Sequence, residues 1–489
     1  MSVLKKNFTA NVVGKMWTTA MSFIFLPYYI KLIGIEAYGL VGIYIALLAL
    51  SNVFDLGLGS SMTREMARLS AKPTEPEEFR NLTRTLEVIY WTTGAFIAAS
   101  IVFAAPFISE HWINAKDLPK ETIRQGIFCI GIALGSLWPS FLYIGGLMGL
   151  QKQVSINAIN VSVATVRGVG MIVILTYVSS TIQAFFLWQI ITNVIQTTLT
   201  AMVLWKNLPK GTSRFDLQIL RRLKGYAMGI TGITVVGMIC IQLDKMVLSR
   251  ILSLDMFGYY TLASSIACAL SHISVPIYSV FFPHYSQLIS LNDNERISSV
   301  YHASCQLMSA LIIPTALFVV FFSSELILLW TQSVEMVQKT TLLVKLLMTG
   351  MLFNALALLP TTLQYAYGWT KLSLYLNLCN LACMLPLMYW SASRFGAEGA
   401  AWIWIVMNFV FLVASVQIMH QRIVKHEKLR WIGQDVGLPL LITLAVLITG
   451  RIVLPKGNLA LLGVIYLLSL GASLLVSPHA RTKMIGVRG

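Results

Sequence analysis

Long apolar runs recur along the chain and are separated by short polar segments. A membrane-spanning helix needs about 20 apolar residues, and by that rule the pattern predicts fourteen spans. Lipid offers no partners to backbone polar groups, so the spans must be helical. The spans are predicted at residues 8–30, 37–60, 85–108, 123–148, 154–178, 182–204, 226–248, 257–282, 304–329, 341–365, 372–391, 397–419, 436–454 and 459–477.

Lys and Arg residues are unevenly distributed between the segments that join these spans. If the N-terminus is cytoplasmic, the inner segments hold 23 of the 36 Lys and Arg residues, with the densest clusters at 205–225 and 420–435. Such residues are enriched in cytoplasmic loops, so both termini are predicted to be cytoplasmic. The net charge of +16 then follows from membrane topology, and no nucleic-acid partner is predicted.

Two pairs of segments recur at a single spacing. Lys31–Gly39 matches Arg250–Gly258 in chemical type, and Gly149–Lys152 matches Gly368–Lys371, each time with an offset of 219 residues. One offset at two distant places indicates an internal repeat of six spans per copy. The predicted organisation is an N-lobe at 1–204, a cytoplasmic linker at 205–225, a C-lobe at 226–420, and spans 13 and 14 with a cytoplasmic tail at 421–489.

Composition supports a polytopic all-α membrane protein. The chain is 56% hydrophobic and only 11% charged, whereas soluble domains carry about 25% charged residues. The six cysteines lie in apolar runs, which favours packing over disulfides or metal ligation, and no cofactor is predicted. A phosphate-binding loop, a zinc-protease motif and a nucleophile elbow are all missing from the sequence, so an enzyme is not predicted.

Charged residues inside the spans are the first candidates for function, because each costs about 2.5–3.5 kcal/mol to insert. Arg167 lies near the middle of span 5 and is expected to face either a wet cavity or a buried acid. Lys15 lies roughly 10 Å deep in span 1. Asp244 and Lys245 end span 7 and lean into the membrane, where they bind solute or form ordinary interhelical ion pairs.

Polar uncharged residues form stripes on several spans. Asn11, Lys15 and Thr19 share one face of span 1, and Gln189, Asn193 and Gln196 share one face of span 6. Asn160 on span 5 and Asn377 on span 11 add amides. Such groups either join helices or line a cavity for an anionic, sugar-like solute. Asp244 and His272 are the candidates for binding a coupling ion, although a neutral, packed His272 is the plainer interpretation.

Four motifs resemble one family of membrane transporters. They are PYYIKLIGIEAYGLVG at 27–42, DLGLGSSMTREMAR at 55–68, QLDKMVLS at 242–249 with its FGYY continuation, and RFGAEGAAWIW at 394–404. With them the chain, over roughly residues 5–420, resembles polysaccharide-type flippases of the multidrug/oligosaccharidyl-lipid/polysaccharide exporter superfamily, most closely the O-antigen repeat-unit flippases.

The resemblance implies two six-helix lobes around a cationic cavity and a place in the bacterial inner membrane. It implies a substrate of undecaprenyl-pyrophosphate-linked oligosaccharide, and polysaccharide polymerase and chain-length proteins as partners. Lys31 and Lys245 occupy the places of basic residues in the family motifs, and they join Lys15 and Arg167 as predicted cavity cations. Fourteen spans exceed the twelve usual in that branch.

Two alternatives remain open from the sequence. A cation-coupled multidrug exporter of the same superfamily would need an acidic or apolar cavity, because its solutes are usually cationic. An integral-membrane glycosyltransferase or polymerase would need a large outer loop bearing paired carboxylates, and the sequence has no such loop.

The topology is directly testable. We expect a single cysteine placed in the 205–225 segment of a cysteine-free variant to be shielded from an impermeant thiol reagent in intact cells, whereas a cysteine in 109–122 should react. Labelling of 205–225 in intact cells, with 109–122 protected, would invert the predicted orientation.

Overall fold

A computed structural model describes residues 3–55, 57–71, 76–291, 293–425, 427–453 and 460–477. These residues are almost entirely helical and contain no β-strand, only an isolated bridge between Asn114 and Ser253. Ten helical segments in the described part are long and apolar enough to cross a membrane. The all-α, multi-pass class is therefore confirmed, while the count of fourteen spans and the orientation stay predictions.

Contacts divide the chain into two compact units, Met1–Gly258 and Tyr259–Gly489. The first unit holds eight helices and the start of a ninth. They are α1 (Val3–Ile33), α2 (Ile35–Ser51), α3 (Leu58–Ala71), α4 (Pro76–Phe107), α5 (Lys120–Gly149), α6 (Gln153–Tyr177), α7 (Ile182–Asn207), α8 (Leu217–Ile251) and α9 (Leu254–Cys268). Helix α5 lies at its centre, packed against α4, α7 and α3, while α1 pairs with α6.

The second unit is built around α11 and α13. Its helices after α9 are α10 (Ser271–Ser290), α11 (Asn294–Phe321), α12 (Ser323–Thr331), α13 (Val334–Ala366), α14 (Thr370–Arg422), α15 (Lys428–Arg430), α16 (Leu438–Val453) and α17 (Ala460–Leu475). Helix α14 breaks at Gly396, where φ is 60° and ψ is −142°. Helix α11 packs against α13, α16 and α17, so the last two helices are an integral part of this unit.

The second predicted span ends earlier than its apolar pattern indicates. Helix α2 stops at Ser51, and the chain turns through a short 3-10 helix, Asn52–Asp55. Both carboxylate oxygens of Asp55 lie 3.3 Å from the backbone nitrogen of Gly59, in the first turn of α3. An acidic side chain that accepts from free N–H groups stabilises a helix start, which explains why a new, amphipathic helix begins inside the predicted span.

The segment between α7 and α8 is fastened to the start of α4. The backbone N–H of Arg214 donates to Asn81 Oδ1 at 2.7 Å, and that of Asp216 donates to Thr85 Oγ1 at 2.9 Å. Helix α8 itself packs against α2, α3 and α4. By its contacts, α8 thus belongs to the first unit. The lobe boundary at 205–225 is a separate prediction, which is drawn from the repeat in the sequence.

The two copies of the repeated motif meet in the first unit, where α2 crosses the start of α9. A Cβ on Gly39 would lie 2.5 Å from the carbonyl oxygen of Leu254, and a Cβ on Gly258 would overlap the carbonyl oxygen of Ile35. Ile35 and Leu254, like Gly39 and Gly258, are separated by the repeat offset of 219. The contact is therefore reciprocal, and only glycine permits this close approach of the two backbones.

A single segment, Lys116–Leu118, contacts both copies at this crossing. The Glu36 carboxylate accepts hydrogen bonds from the backbone nitrogens of Lys116, Asp117 and Leu118 at 2.5, 3.1 and 3.0 Å. Asp255, at the equivalent position of the second copy, pairs with Lys116 Nζ at 2.9 Å. The hydrogen bond that Lys116 donates to the Asp255 carboxylate raises the pKa of the Lys116 ammonium. Both acids thus bind the same loop.

Filling this crossing should destabilise the protein. We expect Gly39→Ala and Gly258→Ala each to lower the melting temperature of the purified protein, because a methyl group forced into packed backbone costs about 1–3 kcal/mol. Gly471→Ala in α17 is the matched control, since nothing lies within 4 Å of its Cβ position, and its melting temperature should stay unchanged or rise slightly. Equal melting temperatures for all three variants would contradict the close-contact interpretation.

Candidate functional site

The midpoint of α6 brings Arg167 against one face of α7. Its Nε donates to Thr192 Oγ1 at 3.1 Å, and its Nη2 donates to Asn193 Oδ1 at 2.9 Å and Gln196 Oε1 at 3.1 Å. Gln196 follows Thr192 by four residues and Asn193 by three, and these spacings bring the acceptors together on one side of α7. The guanidinium is therefore solvated by neutral oxygens of the neighbouring helix.

Further amides and one tyrosine hydroxyl hold the side chains that accept hydrogen bonds from Arg167. Gln189 Nε2 donates to Asn193 Oδ1 and to Tyr44 Oη, both at 3.3 Å. Asn193 Nδ2 donates to the carbonyl of Ala133 on α5 at 2.8 Å, and Gln196 Nε2 lies 3.4 Å from Asn160 Oδ1 on α6. We define this group as the amide cluster, formed by Tyr44, Asn160, Arg167, Gln189, Thr192, Asn193 and Gln196.

The amide cluster is deeply set. Thr192 and Asn193 are fully buried, Gln189 is nearly so, and Arg167 itself is half-buried. Trp188 donates its indole N–H to the backbone carbonyl of Arg167 at 3.1 Å, which further fixes α6 against α7. Because every amide orientation is determined by at least one hydrogen bond, the oxygens facing Arg167 are held in place before any ligand arrives.

The charge on Arg167 is not paired with an acid. Among the described residues no carboxylate oxygen lies within 4.0 Å of its guanidinium, and its Nη1 makes no hydrogen bond. The sequence leaves two interpretations of Arg167, a wet cavity or a buried acid. No buried acid beside Arg167 is found in the described part of the chain. A guanidinium held only by neutral oxygens keeps its positive charge available, and Nη1 retains two donors for an anion.

The other predicted cations of this unit lie elsewhere. Lys15 on α1 and Lys31 near the end of α1 are exposed, and within the described residues no hydrogen bond or ion pair links either to the amide cluster. Asn11 contacts α6 instead, through a 2.6 Å hydrogen bond from Asn157, while Thr19 is half-buried on α1. These residues mark the α1–α6 contact, and their part in a cavity stays a prediction.

Asp244 and Lys245 are both buried on α8. Lys245 Nζ lies 3.4 Å from Gln242 Oε1, one turn earlier on the same helix, and the Lys245 backbone N–H donates to Asp244 Oδ1 at 2.7 Å. No carboxylate oxygen of the described residues lies within 4.0 Å of Lys245 Nζ. Within the described residues Lys245, like Arg167, is thus a cation that bonds a neutral side-chain oxygen and no carboxylate.

His272 and Asn377 belong to the second unit. His272 is exposed in the first turn of α10, just after the helix break at 269–270, and Asn377 is half-buried on α14. Their roles in ion coupling and cavity lining stay predictions. No three His, Cys, Asp or Glu side chains of the described chain are grouped so that they could hold a metal ion.

Two members of the amide cluster, Thr192 and Tyr44, are absent from the residues that the sequence singles out. Thr192 lies on the same α7 face as Gln189, Asn193 and Gln196, so extending the predicted stripe by helical spacing finds it. Tyr44 gives no such signal, because an aromatic residue in an apolar span is usually packing, and its hydroxyl reaches α7 only through the fold.

Sequence comparisons place the chain among membrane exporters. The sequence model of a family described as polysaccharide biosynthesis protein matches residues 4–289, and the MatE family model matches residues 232–390. A Shigella flexneri protein named "Putative O-antigen transporter" is 23% identical over 410 residues, which cover 83% of this chain and 94% of that relative.

Solved structures with the same fold belong to two functional groups. The lipid II flippase MurJ in an inward closed conformation matches with a TM-score of 0.69 and 14% identity, covering 98% of this chain and 99% of that one. An inward-facing multidrug resistance MATE family transporter matches with a TM-score of 0.67 and 14% identity, covering 86% and 94%. At such identity the likeness shows the fold alone.

The absence of an acid beside Arg167 predicts an unusual stability effect. We expect Arg167→Met to leave the melting temperature of the purified protein unchanged or higher, because the desolvated charge is removed and no buried carboxylate is orphaned. Arg84→Met is the contrasting variant: Arg84 pairs with the buried Glu87 at 2.8 Å, and its loss should lower the melting temperature. A larger fall for Arg167→Met than for Arg84→Met would mean that Arg167 is structural.

Proposed function

The chain belongs to the family described as polysaccharide biosynthesis protein, within the multidrug/oligosaccharidyl-lipid/polysaccharide exporter superfamily, and we propose that it is a flippase for lipid-linked oligosaccharides. The proposed substrate is an undecaprenyl-pyrophosphate-linked repeat unit of O-antigen or a related surface polysaccharide. The flippase moves it from the cytoplasmic to the periplasmic leaflet of the bacterial inner membrane by alternating access. Polysaccharide polymerase and chain-length proteins are its proposed partners.

The observation that carries the proposal is the unpaired charge of Arg167 within the amide cluster. A pyrophosphate offers several anionic oxygens, and a guanidinium forms charge-assisted hydrogen bonds with such oxygens that are about twice as strong as neutral ones. The neighbouring amides and hydroxyls supply both donors and acceptors, which suits the hydroxyl groups of a glycan. The relative named as an O-antigen transporter supports the same class of substrate.

The sequence chemistry also favours transport over catalysis. In the described part of the chain the segments between helices are short, the longest running from Leu208 to Asp216 between α7 and α8. A transporter needs only a binding site that alternates between leaflets, and we propose no catalytic residues and no cofactor. Export against a gradient needs a coupled ion, for which Asp244 and His272 are the proposed sites.

A cation-coupled multidrug exporter is the second candidate. The MatE family match and the likeness to a multidrug resistance transporter favour it. A binding site for cationic drugs gains affinity from carboxylates or aromatic faces, whereas the amide cluster presents a cation. The charge of Arg167 therefore favours an anionic substrate.

A charge series at Arg167 tests the proposal. In the native host with its chromosomal copy deleted, we expect Arg167→Ala to lose surface polysaccharide and Arg167→Glu to lose more. Arg167→Lys should retain part, because lysine keeps the charge without the planar fork. The measurement is surface polysaccharide per unit of membrane-inserted protein. The same three substitutions at the exposed Arg124, which pairs with Glu121 on its own helix, serve as controls and should export normally.

The possible outcomes test the role of Arg167 in substrate binding separately from the flippase function of the protein. Full export by Arg167→Glu at normal protein levels would remove Arg167 from substrate binding. Normal surface polysaccharide in the deletion strain, together with new sensitivity to cationic dyes, would instead favour the multidrug exporter.

A further inference from the structure

A buried histidine in the second unit lies between two carboxylates. His302 near the start of α11 is fully buried, and its Nδ1 lies 2.5 Å from Oδ2 of Asp435, which is also fully buried. Its other ring nitrogen, Nε2, lies 3.2 Å from Oε2 of Glu427. Gln306, one turn further along α11, donates to Oδ1 of Asp435 at 3.0 Å. We define these four residues as the histidine cluster.

This geometry requires one proton more than a neutral histidine carries. A neutral ring that donates from Nδ1 to Asp435 has only a lone pair at Nε2. That lone pair would face the Glu427 carboxylate at 3.2 Å, and Nε2 is buried without a hydrogen bond from any other described residue. Two electron-rich atoms at this distance repel each other. A proton shared at Nε2 turns the repulsion into an ion pair with carboxylates on both sides.

None of the neighbouring charged or titratable groups in the described part of the chain supplies the missing hydrogen bond at His302 Nε2. Glu427 also accepts from Ser298 Oγ at 3.2 Å, and Arg430 Nη1 lies 3.7 Å from its Oε2. The nearest other histidine, His420, bonds the Val416 carbonyl through Nδ1 at 2.9 Å and lies 3.5 Å from Tyr301 Oη. The remaining titratable groups near the cluster are Tyr285, Tyr301, Cys305 and Lys428, and the last of these bonds Gln417.

The residues on one side of the histidine cluster belong to the connection that leads into α16. Glu427 lies just before α15, and Asp435 lies in a π-helical segment, Trp431–Gly437, which continues directly into α16. Segments of π-helix are rare and concentrate at functional positions. This segment packs on α11, so the contacts of His302 join α11 to the start of the last helix pair.

We propose that His302, Asp435 and Glu427 form a proton-binding site, separate from the amide cluster, whose bound proton fastens the Glu427–Gly437 segment to α11. When the proton leaves, Nε2 and the Glu427 carboxylate repel each other and the segment loosens. Glu427 is partly exposed, with 29% of its side-chain surface accessible, so it gives the buried ring a route to solvent. In the predicted orientation this route opens to the cytoplasm.

Hydrogen exchange on the wild-type protein tests the proposal directly. The full chain in lipid nanodiscs is compared between about pH 5.5 and 8.5, with exchange corrected for its intrinsic pH dependence. Peptides covering residues 427–437 should lose protection as pH rises, while peptides from the middle of α13 should not. Equal behaviour of the two regions across this range would overturn the proposal.

A matched pair of substitutions identifies the carboxylate involved. Glu427→Gln removes the negative charge that faces Nε2 and supplies an amide N–H that a neutral ring can accept, so protection of 427–437 should become independent of pH. Glu398→Gln, at an exposed acid on α14 in the same unit, should keep the wild-type profile. A wild-type pH profile in Glu427→Gln would overturn the proposal. None of these measurements requires transport, so their failure would leave the flippase function intact.

Discussion

The guanidinium of Arg167 sets the strongest constraint on the first unit. A cation at the middle of a membrane helix needs partners, and the chain supplies neutral ones: a hydroxyl and two amides from α7, spaced to lie on one face. Those amides need their own partners, and these come from Tyr44 on α2, a backbone carbonyl of α5 and Asn160 on α6. One buried charge thus determines how four helices present their polar atoms. Within the described residues its charge is solvated by neutral oxygens without being neutralised, which distinguishes this arrangement from an ion pair.

The repeat illustrates what sequence can predict and what it cannot. The offset of 219 residues between Lys31–Gly39 and Arg250–Gly258 is visible in the sequence. That the two copies touch each other is not, because an offset carries no information on distance. The structure shows why both copies keep a glycine: each glycine meets the backbone of the other copy. Glu36 and Asp255, equivalent by the same offset, both bind the Lys116–Leu118 segment, so the repeat preserves a contact surface as well as a helix pattern.

Helical spacing predicted the polar stripe on α7. Whether the polar stripes of different helices meet depends on how the helices pack, which spacing does not show. Gln189 and Asn193 were identifiable because amides at helical spacing in an apolar run are costly unless they bond. Lys15 satisfied the same depth argument as Arg167, yet it is exposed on α1, because the argument from depth does not fix the direction in which a helix turns. The histidine cluster had no signal at all: His302 and Asp435 are 133 residues apart, and each looked like an ordinary residue at the end of a span.

The two units handle buried charge in chemically different ways, and this difference separates their responses to pH. Arginine keeps its proton throughout the physiological range, so the charge in the amide cluster is constant and its surroundings provide only dipoles. In the histidine cluster a buried histidine ring lies between two carboxylates, and our proposal places an additional proton there. An anionic substrate bound at Arg167 would therefore meet the same site in acidic and alkaline conditions. The histidine cluster is then one place where pH acts on the protein, through the connection that leads to the last two helices, in addition to the proposed coupling residues Asp244 and His272. The predicted six-span repeat does not include these helices, so a proton-dependent contact there acts on a part of the chain that lies outside the two predicted copies.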